Sequence, residues 1–263
     1  LLKGVSQVKR ILLVCAFLSA GCSGVKNAGG TGGNVQNAVI SGPYSAVATS
    51  NKGNGVINVY ANLAMQGSSS FSASPNTLVC PGNTPANCTG DNPPATTYTL
   101  TGTVNGNNLQ ITLQFTNQSG TDTVTLTGTV SGTTLSGTYT DSQGDSGTWT
   151  ATQSGSLTGT YNGSVNSTPN PLQTAPTISA QITEGQNSTL TGSAAVTNSP
   201  CYVTLDFSQG MAIGGAFTLT DTTKDVTIVG LPVGSNTYSV YYQVGSSAIA
   251  CAGDYGTGTF TLQ

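Results

Sequence analysis

Residues 97–161 read TYTLTGTVNGNNLQITLQFTNQSGTDTVTLTGTVSGTTLSGTYTDSQGDSGTWTATQSGSLTGTY, and one short phrase keeps returning in them. It occurs as Leu100-Thr-Gly-Thr-Val104, Leu126-Thr-Gly-Thr-Val130, Leu135-Ser-Gly-Thr-Tyr139 and Leu157-Thr-Gly-Thr-Tyr161. Side chains of a strand alternate between its two faces, so each phrase puts its outer residues and the glycine on one face and the hydroxyls on the other. That is a half-buried antiparallel strand. Asn105-Gly106-Asn107, Ser131-Gly132, Gln143-Gly144 and Ser154-Gly155 separate the phrases, and these are residue types that turn a chain tightly. The intervals leave no room for a helix.

Working outward, the same texture extends over most of the 263 residues. Eight candidate strands precede Gln153, at about 39–49, 55–66, 69–75, 96–104, 108–116, 122–130, 134–140 and 146–152. Eight more follow, at about 156–166, 176–183, 188–197, 201–207, 211–220, 225–231, 236–244 and 254–262. Both halves open on Gly-x-Tyr, at Gly42 to Tyr44 and Gly159 to Tyr161, and their endings, Asp141 to Gln153 and Cys251 to Gln263, match in pattern. The expected fold is therefore all-β, with two tandem up-and-down meanders, residues 39–153 and 154–263. Eight strands of this length close into a barrel whose interior is filled by side chains or holds one small ligand. The LTGTY texture resembles the calycin group of barrels, the avidins and lipocalins, and that resemblance implies eight-stranded barrels. The alternative is a pair of immunoglobulin-like sandwiches, but the single Trp149 follows Cys80 and Cys88 instead of lying between two distant cysteines.

The first residues form a different region. Lys3, Lys9 and Arg10 precede an apolar run from Ile11 to Leu18, which is too short to span a bilayer as a helix. Ser19-Ala20-Gly21-Cys22 then resembles the lipobox of bacterial lipoproteins, with Leu18 one place earlier than that family's usual leucine. The resemblance implies a signal peptide over 1–21, diacylglycerol on Cys22 and an extracytoplasmic, lipid-anchored protein of the bacterial envelope. Residues 22–38 are glycine-rich and aperiodic, as a flexible tether would be.

Composition excludes several functions. Beyond the leader only Lys26, Lys52 and Lys224 oppose nine carboxylates, too few cations to neutralise a phosphate backbone, so no nucleic acid is expected as a partner. Histidine is absent, which removes the usual general base and the commonest metal ligand. Gly144-Asp145-Ser146-Gly147 has the form of a serine-protease or aspartic-protease phrase, but without histidine or a second copy it reads as a hairpin turn. Asp141 with Asp145, and Asp221 with Asp225, offer oxygens to calcium without the spacing of a calcium loop. Glu184 is the only glutamate, so a paired-carboxylate glycosidase would need two distant aspartates. No cofactor and no metal are expected.

With Cys15 in the leader and Cys22 acylated, four cysteines remain, which allow three pairings. Cys80 with Cys88, inside the irregular stretch 74–95, and Cys201 with Cys251 are the expected bridges, in keeping with an oxidising compartment. Candidate binding residues are Trp149, Tyr238, Tyr241 and Tyr242; the last two must face opposite sides of one strand. The expectation is a non-catalytic binding or structural module for a small apolar or sugar-like ligand or an envelope protein. A calcium- or carboxylate-dependent hydrolase and a carbohydrate-binding adhesin are the alternatives. A membrane pore would need a lipid-facing apolar face, where these strands carry Thr and Ser.

Overall fold

A computed structural model of the protein describes residues 36–53, 56–81, 84–86, 97–117, 120–170, 174–248 and 250–263. The leader, Cys22 and Cys88 lie outside them. The regular structure is almost wholly β and divides into two compact units, one carrying β1–β8 and the other β9–β17.

The first unit is a closed barrel of eight strands: β1 (Gly42–Ser50), β2 (Val56–Met65), β3 (Ser70–Pro81), β4 (Thr97–Asn105), β5 (Asn108–Asn117), β6 (Gly120–Ser131), β7 (Thr134–Asp141) and β8 (Ser146–Gln153). Each pairs antiparallel with its neighbours in sequence, and β1 closes on β8 through Tyr44 opposite Gln153 to Ser50 opposite Gly147. The recurrent phrase lies as its alternation requires. Leu100, Val104, Leu126, Leu135 and Tyr139 point into the interior with Phe71, Ile111, Leu113, Val124 and Trp149, while Thr127 and Thr138 meet hydroxyl to hydroxyl outside. β3 departs from expectation by running on to Pro81, so part of the stretch anticipated as irregular is paired strand. The register slips between Ala61 and Leu63, opposite Pro75, and a bulge is where a residue without an N–H fits a ladder.

The second unit is a nine-stranded, nearly closed barrel: β9 (Gly159–Ser167), β10 (Thr177–Glu184), β11 (Leu190–Thr197), β12 (Thr204–Phe207), β13 (Gln209–Ile213), β14 (Ala216–Asp221), β15 (Val226–Pro232), β16 (Thr237–Val244) and β17 (Tyr255–Leu262). Here the first strand, β9, pairs with the last, β17, as β1 does with β8. The expected single strand 211–220 is two strands. Ile213 and Ala216 pair across Gly214-Gly215, both at positive φ, a two-residue hairpin turn that glycine adopts without strain. The expected strand 201–207 begins only at Thr204, and Cys201 lies in the loop before it.

β12 and β13 are separated by Ser208 alone and act as one bent stave. β12 pairs with β11, β13 pairs with β14, and the bridge between Thr189 and Met211 carries the β11–β12 register onward with a one-residue offset. Across the same seam the Asp206 amide donates to Asp221 Oδ2 at 2.8 Å. Counted as staves, this barrel has the eight of the first.

Both barrels share a packing device that sets a glycine opposite an aromatic ring, Gly102 of the recurrent phrase among them. Phe71 lies opposite Gly102, Tyr139 opposite Gly147, Phe217 opposite Gly230, Tyr242 opposite Gly256 and Phe260 opposite Gly163. In each pair a Cβ on the glycine would overlap the ring. The aromatic occupies the space its partner leaves, and the strands bend enough to close.

Candidate functional site

The interiors of the two barrels differ. In the first, Tyr44, Phe71, Tyr139 and Trp149 join aliphatic residues from every strand, and Trp149, 1% exposed, donates its indole N–H to the Thr138 carbonyl at 3.1 Å. In the second, the large rings gather at one end. Tyr161, Phe217 and Tyr238 pack edge-on or tilted with centroids 5.4–5.9 Å apart, and Phe260 joins the same cluster. A void of only about 10 Å³ remains beside them, no more than one water needs. Tyr161 donates to the Leu157 carbonyl at 2.8 Å, which ties this end shut.

At the opposite end the inward residues are Val165, Ile178, Val196, Leu205, Val226, Ile228 and Val244, with Tyr202 and Tyr242 also lining the space. A cavity of about 530 Å³ opens there. This is the scale of a small-molecule site. The loops around it are joined to one another. Cys201 and Cys251 form a disulfide between the loop before β12 and the loop before β17. The Tyr202 hydroxyl donates to the Ala250 carbonyl at 2.8 Å and to the Lys224 carbonyl at 3.2 Å, so three loops share one anchor. Asp225 accepts from the Ser247 hydroxyl and amide, a fourth tie at the same end.

One wall of the cavity is polar. Asp254 Oδ1 accepts from the Ser167 hydroxyl at 2.6 Å, and Asp254 Oδ2 accepts from the Tyr242 hydroxyl at 2.8 Å. Ser167 Oγ accepts in turn from the Asn170 amide at 2.9 Å. The backbone of Asp254 is itself held, its N–H donating to the Cys251 carbonyl and its carbonyl accepting from the Val244 amide. Burial, and then the carboxylate beside it, push the Tyr242 phenol above its ordinary range, so it stays a donor. The wall is a fixed carboxylate on two fixed donors, facing an apolar chamber.

Asp221 is buried at the seam of the same barrel, with 0% of its surface exposed. Burial alone would raise its pKa. The Thr223 hydroxyl, the Asp206 amide, and the ammonium and amide of Lys224 all donate to it, outweigh burial and hold it well below the usual carboxylate range. It is a structural staple.

No family model matches the chain, and neither a curated protein nor a solved structure matches it.

The residues singled out in the sequence fall in different places. Tyr242 lines the cavity, whereas Tyr238 and Trp149 are core residues of the second and first barrels. Tyr241 faces the other way from Tyr242, its ring 6.4 Å from that of Tyr255. Cys80 is buried and disulfide-bonded in β3, while Cys88 lies outside the described residues. Gly144 and Asp145 lie in the β7–β8 turn and Ser146 and Gly147 open β8; in the turn Asp141 Oδ1 accepts from the amides of Gln143 and Asp145. Asp145 Oδ1 accepts from Ser50 and from its neighbour's amide. Asp225 is tied to Ser247, and Glu184 accepts from the Leu157 amide and the Ser156 hydroxyl. Among the described residues no three of His, Cys, Asp or Glu are placed to hold a metal ion. Ser167, Asn170 and Asp254 went unnoticed because Asp254 stands 87 residues from Ser167, in the Ser167–Asn170 segment it joins. The available signal was the placement of rings: read along the meander, Tyr161, Phe217, Tyr238 and Phe260 fall at one end of the second barrel.

Proposed function

We propose that the second barrel binds a small, mainly apolar molecule in its open end, and that the chain is a non-catalytic, lipid-anchored protein of the bacterial envelope. The cavity of about 530 Å³, beside a polar wall and backed by a closed aromatic floor, carries this reading. The resemblance to calycin barrels supports it, since barrels of that size hold one small ligand. The basic, apolar and small-residue regions before Cys22 support the anchor.

Binding is tested by titrating the full chain with the neutral fluorophore N-phenyl-1-naphthylamine. Saturable enhancement at one site per chain is expected, and a signal no greater than that of a solid-cored control protein would overturn the reading. The anchor is tested by growing a bacterium expressing the chain with labelled palmitate. Label should appear on the wild type and vanish in Cys22→Ser; an unlabelled, freely soluble wild type would rule the anchor out.

A second reading, contact with a carbohydrate, rests on the Tyr241–Tyr255 ring pair on the outer face, where Tyr255 is 40% exposed. Retention on polysaccharide affinity gels that is lost in Tyr255→Ala would favour it.

A further inference from the structure

We infer that the cavity of the second barrel selects its ligand by charge, taking an apolar molecule with a cationic amine head and rejecting one with a carboxylate head. The inference rests on the small-molecule reading above and adds the ligand's head group to it.

The lining carries one charged side chain among the described residues, Asp254. Its two oxygens each accept one hydrogen bond, from Ser167 and from Tyr242, which leaves each a further acceptor site. An ammonium can therefore join the carboxylate without displacing either partner. The phenol face of Tyr242 offers the same cation a second favourable contact.

The surroundings of the cavity carry the same sign. At this end of the barrel Asp221 and Asp225 bracket Lys224 in the β14–β15 connection, where the Lys224 carbonyl accepts from the cavity-lining Tyr202. That lysine is engaged, its ammonium 2.9 Å from Asp221 Oδ2. A focused negative potential at the entrance attracts cations and repels anions. An alkyl carboxylate seated among Val165, Ile178 and Val226 would bring its charge toward Asp254 with no cation to offset it. Its tail would be accommodated and its head opposed.

The test displaces N-phenyl-1-naphthylamine from the full chain at pH 7 with three ligands of one tail length: n-octylamine, 1-octanol and octanoate. Octylamine is expected to displace the probe at a concentration at least about tenfold below octanoate, with octanol between them. Asp254→Asn should shrink the amine advantage to about threefold or less. Asn170→Lys, at an exposed position of the lining, puts a cation in the wall and should narrow or reverse the order, whether or not the Asp254 variant folds. Octanoate equal to octylamine on the wild type, or an amine advantage that survives Asn170→Lys intact, would overturn the charge selection alone. Failure of the probe and all three ligands to bind would instead sink the small-molecule reading on which it rests.

Discussion

Two barrels built from one phrase end differently inside. In both, the first strand closes on the last, glycines admit rings across the ladder, and Leu or Val alternates with Thr. Among the described residues, the first carries large side chains from end to end of its core, whereas the second crowds most of its buried rings into one half and lines the other mainly with β-branched residues, with Tyr202 and Tyr242 on its wall. The contrast shows that the meander determines where inward positions lie, and ring placement determines whether the inside is core or chamber. A barrel of eight staves is close to the size at which both outcomes are available.

The largest effect should come from emptying the filled barrel. Trp149→Ala removes a ring that packs in the middle of the first core and leaves the Thr138 carbonyl without its indole donor. A loss of about 3–5 kcal/mol is expected. Urea unfolding followed by circular dichroism would measure it; a loss below about 1 kcal/mol would mean that this interior is not close-packed and that the contrast is false.

The second barrel depends instead on ties around its open end. The Cys201–Cys251 bridge closes a sequence separation of 50 residues, and replacing both cysteines by serine should cost about 2–4 kcal/mol. The loss should fall on the second unit, and unchanged urea midpoints would show that the loops hold without the bridge. Asp221→Asn should cost about 2–3 kcal/mol, because five donors that converge on a buried carboxylate lose their charged acceptor. The same group sets an acid limit. A carboxylate whose pKa is lower in the folded than in the unfolded chain stabilises the fold fully above its unfolded value of about 4, and that stability is lost as pH falls through the folded value. Wild-type stability should therefore drop below about pH 4, and Asp221→Asn should flatten that part of the profile.

The repeated phrase made the fold class legible because period-two alternation and turn residues agree locally, and local agreement is what single-sequence reading detects. The second barrel's strand count failed at Gly214-Gly215, where two glycines flanked by apolar residues pass for a weak patch of one long strand. The break expected between 207 and 211 is present at Ser208, but it bends one stave instead of turning a hairpin, and no turn residue marks the difference. Pro75 suggested a loop because proline usually ends pairing, yet a bulge absorbed it. The bridge between Cys201 and Cys251 was legible from cysteine arithmetic. The cavity was not, because its lining comes from β9, β10, β11, β12, β15 and β16 and from the loops joining them, and a void is defined by residues that do not reach it. Tyr242 was noticed only for its company on one strand. Its partner Asp254 lies 12 residues on and looks like any polar turn residue until the β16–β17 hairpin folds.

The smallest change in stability should separate chamber from core most sharply. Val196→Trp, at the end of β11, would project an indole into the cavity rather than into packed side chains. Overpacking a filled interior costs about 1–3 kcal/mol, so the same kind of enlargement in the first barrel, Val124→Trp on β6, should destabilise by at least that much. In the cavity the ring meets open space, and the change should stay within about 1 kcal/mol of wild type, since it buries new apolar surface without displacing any. Binding of N-phenyl-1-naphthylamine should fall at least about tenfold in this variant, because the volume the probe needs is then occupied. A severe loss of stability in Val196→Trp would show that the open end is closed in solution by its own side chains. Unchanged binding in a stable variant would place the probe elsewhere on the protein. Only the pairing of near-normal stability with lost binding is expected of a preformed chamber, and that pairing separates an unfilled barrel from an imperfectly packed one.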